Sequence, residues 1–129
     1  MNEAAFSGLN PQQAAAVRYL EGPLLVLAGA GSGKTRVITE KIVYLIEKKG
    51  IPARGIFALT FTNKAAKEMA SRTTERLTPE QRRGLAISTF HTLGLNFIRR
   101  EFAALGLRAN IHAAAFGKFK RIGHQIGHY

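Results

Sequence analysis

Leu24-Leu25-Val26-Leu27-Ala28-Gly29-Ala30-Gly31-Ser32-Gly33-Lys34-Thr35-Arg36 is the stretch on which the fold of this 129-residue chain turns. Its first five residues form a continuous apolar run of strand length, the pattern of a strand buried on both faces of a parallel sheet. Residues 28–35 then fit the spacing of a phosphate loop, with Ala28 where the first glycine usually stands. Small residues let successive backbone N–H groups turn inward around phosphate oxygens, where a Cβ would obstruct them. The helix expected to follow directs its partly positive end at the same oxygens. Lys34 is placed to reach the terminal phosphates, and Thr35 to offer a hydroxyl to Mg²⁺. Ala28, Gly29, Ala30, Gly31, Ser32, Gly33, Lys34 and Thr35 are therefore the candidate nucleoside-triphosphate ligands. Lys34 and Thr35 double as the candidate catalytic pair, and Thr35 as the metal ligand. Arg36, one residue further, reads equally as a nucleotide contact or as a solvated helix position. A glycine turn that merely precedes Lys-Thr is the bland alternative, but it needs neither a buried strand before it nor an amphipathic helix after it.

Outward from this loop the chain alternates helix and strand, which favours an α/β fold with a parallel sheet and crossover helices. Upstream, Asn10-Pro11-Gln12-Gln13 reads as a helix start. Asn10 is the cap, Pro11 the first helical residue, and Gln13 is placed to bond back. That helix is expected to run to about Leu20 and to stop at Gly22-Pro23. Downstream, a helix is expected over 33–48, with Ile38, Ile42 and Leu45 on its buried side and Gly50 and Pro52 ending it. A second core strand follows over 56–61 and a helix over 64–77. Thr78-Pro79-Glu80-Gln81 repeats the capping logic and predicts a short helix closed by Gly84. Residues 85–88 read as a third strand. Leu95, Ile98, Phe102 and Leu105 mark one face of a last helix, stopped by Gly106. Beyond Ile111 the periodicity dissolves.

Composition narrows the partner. Nineteen Lys and Arg against eight acids give a net charge of +11. The excess is uneven: residues 1–40 are neutral, residues 41–111 carry +8, and residues 112–129 add +3 with no acid. A polyanion is the natural partner, since each phosphate met by Lys or Arg releases counterions. No apolar run approaches the roughly 20 residues that span a bilayer, and the first residues carry no basic, secretory-type stretch. With no cysteine, disulfide and thiolate-metal frameworks are excluded. A cytoplasmic protein without a membrane partner is the expectation. All eight acids are Glu, so there is no Asp anywhere in the chain. His124 and His128 stand four apart, but Gly127 lies between them and no third ligand is in view, which argues against a metal pair.

Four segments occur in a telling order: Leu9-Asn10-Pro11-Gln12-Gln13-Ala14-Ala15-Ala16-Val17, then residues 28–35, then Thr60-Phe61-Thr62-Asn63-Lys64-Ala65-Ala66, then Ser88-Thr89-Phe90-His91. In that order they resemble the N-terminus of the UvrD/PcrA/Rep group of superfamily 1 DNA helicases. The likeness is strongest to the Rep branch, through Ser88-Thr89-Phe90-His91-Thr92-Leu93-Gly94-Leu95 and Arg100-Glu101-Phe102-Ala103-Ala104-Leu105-Gly106. It covers about residues 9–111. The resemblance implies a phosphate-loop NTPase sheet of the RecA-like kind with flanking helices, incomplete here because only the first part of the first motor domain is present. It implies ATP and Mg²⁺ as cofactors. It implies that Gln13 reads adenine with its amide, where the residues alone favour the helix-start bond. It implies that Phe61 stacks a base of single-stranded DNA while Thr62, Asn63 and Lys64 lie near the backbone, and that Thr89, Phe90 and His91 touch the same strand. On the residues alone, Phe61 reads equally as core and Asn63 as a helix cap, and a His beside Phe is more often structural. Arg72, Arg76, Arg82, Arg83, Arg99 and Arg100 extend a basic track or face solvent.

The family activity so implied is ATP-driven, 3′-to-5′ unwinding of DNA by translocation on one strand. The acidic pair that orients water and Mg²⁺ is missing, since no Asp exists and no Glu ends a buried apolar run. The second motor domain, which supplies arginines to the transferring phosphoryl group, is missing as well. Residues 1–111 are thus expected to form the N-terminal part of a helicase ATP-binding domain. Residues 112–129 form an acid-free basic tail of the kind a truncated or frameshifted product carries. The rival reading is a stand-alone nucleotide- or DNA-binding module without turnover. A small phosphate-loop kinase would need lid arginines and an acceptor-binding acid, and neither pattern is present.

Overall fold

The computed structural model describes residue 6, residues 8–101 and residue 104. The expectations for Phe102, Leu105, His124, His128 and the 112–129 tail lie outside the described residues. Two compact units divide the chain at Phe90 and His91.

The first unit opens with helix α1, Pro11–Arg18. Its start is a reciprocal capping box: Asn10 Oδ1 accepts from Gln13 N–H at 2.8 Å, and Gln13 Oε1 accepts from Asn10 N–H at 3.0 Å. Two amides that the helix itself leaves unpaired are satisfied in this way. The helix stops at Arg18 rather than Leu20, because Tyr19 turns extended, with φ −68° and ψ 121°. Ala14 and Val17, three apart, are its buried stripe, and Val17 is fully enclosed.

Helix α2, Lys34–Glu47, carries the buried residues Thr39, Ile42 and Val43. That stripe, continued by half-buried Ile46, is rotated from the one expected, and Ile38 lies on its rim at 42% exposure. Thr39 tolerates burial because its hydroxyl donates to the Thr35 carbonyl at 2.9 Å. Gly50, at φ +64°, lets the chain reverse after the helix.

Strand β1, Phe57–Thr60, and strand β2, Ala86–Thr89, pair in parallel, with Phe57 opposite Ala86 and Thr60 opposite Thr89. Helix α3, Asn63–Arg76, is the crossover a parallel pair requires. The core lies between α2, α3 and the sheet. It comprises Ile42, Val43, Ile56, Ala58, Met69 and Leu77, flanked by Leu45, Ile46, Leu85 and Ile87.

Two expectations are corrected. Residues 24–28 form no strand, and the sheet of the described residues has two strands, not three. Leu25 is 83% and Leu27 89% exposed. A strand buried on both faces exists only when neighbours pair with its edges and helices cover its faces. Among the described residues β1 and β2 pair only with each other. Secondly, Thr78 and Gln81 exchange the capping-box bonds, at 2.8 and 3.2 Å, but turns follow instead of a helix. Gly84, at φ +84°, ends the segment before a second helical turn can form.

The second unit begins within helix α4, Phe90–Glu101. Leu95 and Ile98 are half-buried, as their spacing predicts, while Phe97 is 54% exposed.

Candidate nucleotide and DNA site

The loop of residues 28–33 is shaped by two glycines, Gly31 and Gly33, that no other residue replaces without strain. Gly31 takes φ +74° and Gly33 φ +78°, both left-handed. Gly33 is also the N-cap of α2 and brings no side chain to cap its first turn. Added Cβ atoms at Gly29 and Gly31 would meet nothing within 4 Å, so the space beside both residues is open. The Ser32 N–H closes a turn onto the Gly29 carbonyl at 3.3 Å. Lys34 reaches back across the loop, its Nζ donating to the Ala28 carbonyl at 3.3 Å. Thr35 is half-buried at the first turn of α2, and the rest of the loop is exposed. Arg36 is exposed, with its guanidinium against Gly8, where no room remains for a Cβ.

Gln13 is joined to the same loop. While its Oε1 holds the cap of α1, its Nε2 donates to the Ser32 carbonyl at 2.9 Å and lies 3.2 Å from where a Gly33 Cβ would stand. The structure therefore brings Gln13 to the loop and at the same time realises the helix-start bond. At the other end of α1, Lys41 donates from Nζ to the carbonyls of Ala16 at 3.0 Å and Tyr19 at 2.7 Å. Burial pushes the Lys41 ammonium below the ordinary lysine range. Sequence reasoning missed both links. The only signal for Lys41 was a lysine on the half-buried side of an amphipathic helix.

The second group of residues sits at the C-terminal end of the sheet. The register that sets Thr60 against Thr89 makes the next residues, Phe61 and Phe90, neighbours. Their ring centroids are 5.3 Å apart and the rings tilt by 38°. Phe61 is 84% and Phe90 49% exposed, an unusual outlay of aromatic surface. Thr62, not Asn63, caps α3, its Oγ1 accepting from the Ala65 N–H at 3.1 Å. That leaves Asn63 and Lys64 exposed on the first turn. Thr89 is buried, so the exposed surface next to Phe61 is that of Phe90. His91 is exposed in the first turn of α4. Among the six arginines of the basic track, Arg72 pairs with Glu68 and Arg76 with Glu40, both at 2.6 Å. Arg83, Arg99 and Arg100 are exposed. Among the described residues no three His, Cys, Asp or Glu side chains gather to hold a metal.

The chain matches the UvrD/REP helicase N-terminal domain family over residues 9–126. It is 63% identical over 102 residues to the ATP-dependent DNA helicase Rep of Escherichia coli (strain K12), covering 79% of this chain and 15% of that protein. It is 47% identical over 107 residues to the ATP-dependent DNA helicase PcrA of Staphylococcus epidermidis, covering 83% and 14%. To PcrA of Leuconostoc citreum it is 46% identical over 108 residues, covering 84% and 14%. The chain thus spans about 15% of the length of the curated relatives it matches.

Proposed function

The chain belongs to the UvrD/REP helicase N-terminal domain family, and from that premise we propose that it is the N-terminal, ATP-binding part of an ATP-dependent DNA helicase. In this reading the two-stranded sheet is the start of a RecA-like phosphate-loop sheet in the first motor domain. The complete enzyme translocates 3′ to 5′ on single-stranded DNA, and this chain alone binds nucleotide and single strand without turnover. A cytoplasmic location belongs to the same proposal, since the substrate is DNA.

The left-handed Gly31 and Gly33, immediately before Lys34 at the first position of α2, carry the reading. A left-handed glycine turn that leads directly into a helix N-terminus is the backbone from which a polyphosphate cradle is built. Lys34 would exchange the Ala28 carbonyl for a phosphate oxygen. Gln13 stands beside the loop, where its amide would meet adenine. The donor set also suits Mg²⁺ in part, since Thr35 would hold it through a hydroxyl, a hard oxygen donor. When bound, Mg²⁺ neutralises charge on the phosphates. Phe61 and Phe90 offer the aromatic faces, and Asn63 and Lys64 the donors, that an unpaired strand needs.

Lack of turnover follows from what the sequence omits. Hydrolysis needs a carboxylate to orient water near the terminal phosphate. The chain has no Asp, and among its described residues no three His, Cys, Asp or Glu side chains gather to hold a metal. The same observation favours the second reading, a binding module whose function is complete without hydrolysis. ATP hydrolysis measured with and without single-stranded oligonucleotide, on the parent and on Lys34→Ala, tests the proposal. The expected outcome is saturable MgATP binding, at least tenfold weaker in Lys34→Ala, with no hydrolysis above background. DNA-stimulated hydrolysis abolished by Lys34→Ala would refute the claim that catalytic parts are missing. A folded chain that ignores MgATP would refute the nucleotide site.

A further inference from the structure

Helix α1 is tied twice to the chain that follows it, once to the loop at Ser32 and once to helix α2 at Lys41. At the N-terminal turn of α1, Gln13 Nε2 holds the Ser32 carbonyl at 2.9 Å. At its C-terminal end, Lys41 Nζ holds the Ala16 and Tyr19 carbonyls at 3.0 and 2.7 Å. Along α1 the ties come first at Gln13 and then at Ala16 and Tyr19, and along the following segment first at Ser32 and then at Lys41. The helices consequently run in the same sense, as the two rails of a closed frame with a polar rung at each end. Ala14 and Val17, both buried, lie on α1 between the two ends of this frame.

The rung at Lys41 is chemically specific. The last carbonyls of a helix lack intrahelical donors and carry the negative end of its dipole. An eight-residue helix is too short to hold its own end closed. A half-buried ammonium giving two hydrogen bonds supplies what Tyr19, turning extended, does not. Cutting this rung leaves α1 held to the loop by the single exposed Gln13–Ser32 bond and by its apolar contacts, so the helix can shift along α2 as a unit. That shift carries Gln13 away from the loop but leaves the loop glycines where their own backbone puts them.

We infer that Lys41 is a positioning residue for the nucleotide base, holding α1 so that the Gln13 amide stands at a fixed place beside the phosphate loop. The inference rests on the proposed reading that the loop takes a triphosphate and Gln13 meets the adenine. It separates two parts of the affinity. Contacts to phosphate depend on residues 28–35, while contacts to the base depend on the frame, and only the second passes through Lys41.

The test titrates the full chain with MgATP and with magnesium tripolyphosphate, which has the phosphates and no base. Parent, Lys41→Met, Lys41→Arg and Gln13→Ala are compared after circular dichroism confirms equal helicity. Lys41→Met is expected to weaken MgATP by about five- to tenfold, the scale of one charge-assisted hydrogen bond felt at a neighbouring contact. Tripolyphosphate binding is expected to stay within twofold. Lys41→Arg, which still donates to two carbonyls, should restore the parental ratio. Gln13→Ala should reproduce the loss, and Gln13→Ala with Lys41→Met should lose no more than either alone, because both act through one contact. Parallel weakening of both ligands in Lys41→Met, or loss of neither, would overturn the inference while leaving the phosphate loop standing. An unchanged ratio in Gln13→Ala would overturn it by removing the adenine contact it acts through. A parent chain that binds neither ligand would instead sink the triphosphate reading beneath it.

Discussion

Replacing Gly33 by Ala puts a Cβ on a backbone at φ +78°, with Gln13 Nε2 3.2 Å away. For an L-residue the left-handed region costs roughly 1–2 kcal/mol. The crowded amide must also give by a few tenths of an ångström or release Ser32. The loop can relieve the strain by abandoning the left-handed turn, and the strain energy then sets the fraction of molecules that keep it. At about 1.4 kcal/mol per factor of ten, triphosphate affinity falls about five- to thirtyfold. The change in global stability is smaller, because Ala also stiffens the unfolded chain, by about 0.4–1 kcal/mol in favour of the native state. Gly31→Ala, at φ +74° with nothing within 4 Å, feels the strain without the crowding. Gly29→Ala has neither strain nor a neighbour within 4 Å. Isothermal titration of the three variants with magnesium tripolyphosphate, beside their thermal melts, reads both quantities. The expected order of loss is Gly33, then Gly31, then Gly29. Parental affinity in Gly33→Ala, or an equal loss in Gly29→Ala, would show that backbone conformation does not govern this site.

Two further outcomes are expected. Phe61→Ala and Phe90→Ala should each weaken binding of a single-stranded oligonucleotide by about 1–3 kcal/mol per stacked base lost, measured by fluorescence anisotropy at fixed salt; unchanged affinity in both would remove the aromatic pair from the interface. Leu25→Lys combined with Leu27→Lys should raise the monomer fraction in sedimentation velocity and lower dye binding to apolar surface, since both side chains are more than four-fifths exposed. A fall of several degrees in melting temperature, where about 1 kcal/mol corresponds to 4–8 °C in a domain this small, would mean that these leucines are packed.

Local rules carried most of the fold. The capping box at Asn10 and Gln13, the crossover α3 and both strands lie within a residue or two of where spacing and punctuation put them, because each is decided by neighbours close in sequence. The run over 24–28 defeated the same reasoning. An apolar run states a capacity for burial, and whether it becomes a strand depends on partners elsewhere in the chain, which no window of sequence contains. Thr78 to Gln81 erred in the opposite direction, since its caps formed although too few residues remained before Gly84 to propagate a helix. At the loop, the turn was legible in the glycine spacing, because the left-handed backbone at Gly31 and Gly33 is a local demand. Gln13 was legible as a cap. Its bond to Ser32, nineteen residues away, and the reach of Lys41 to Tyr19 were not, because long-range polar ties leave no periodic trace.

The tilt of Phe61 against Phe90 has a geometric corollary. A flat heterocycle slipped between two rings needs about 7 Å, twice the 3.4 Å spacing of successive bases, whereas these centroids stand 5.3 Å apart. The pair is shut in the manner of two leaves touching. A base docking here, as proposed, would meet their outer surfaces, or would prise them open at the expense of their mutual contact.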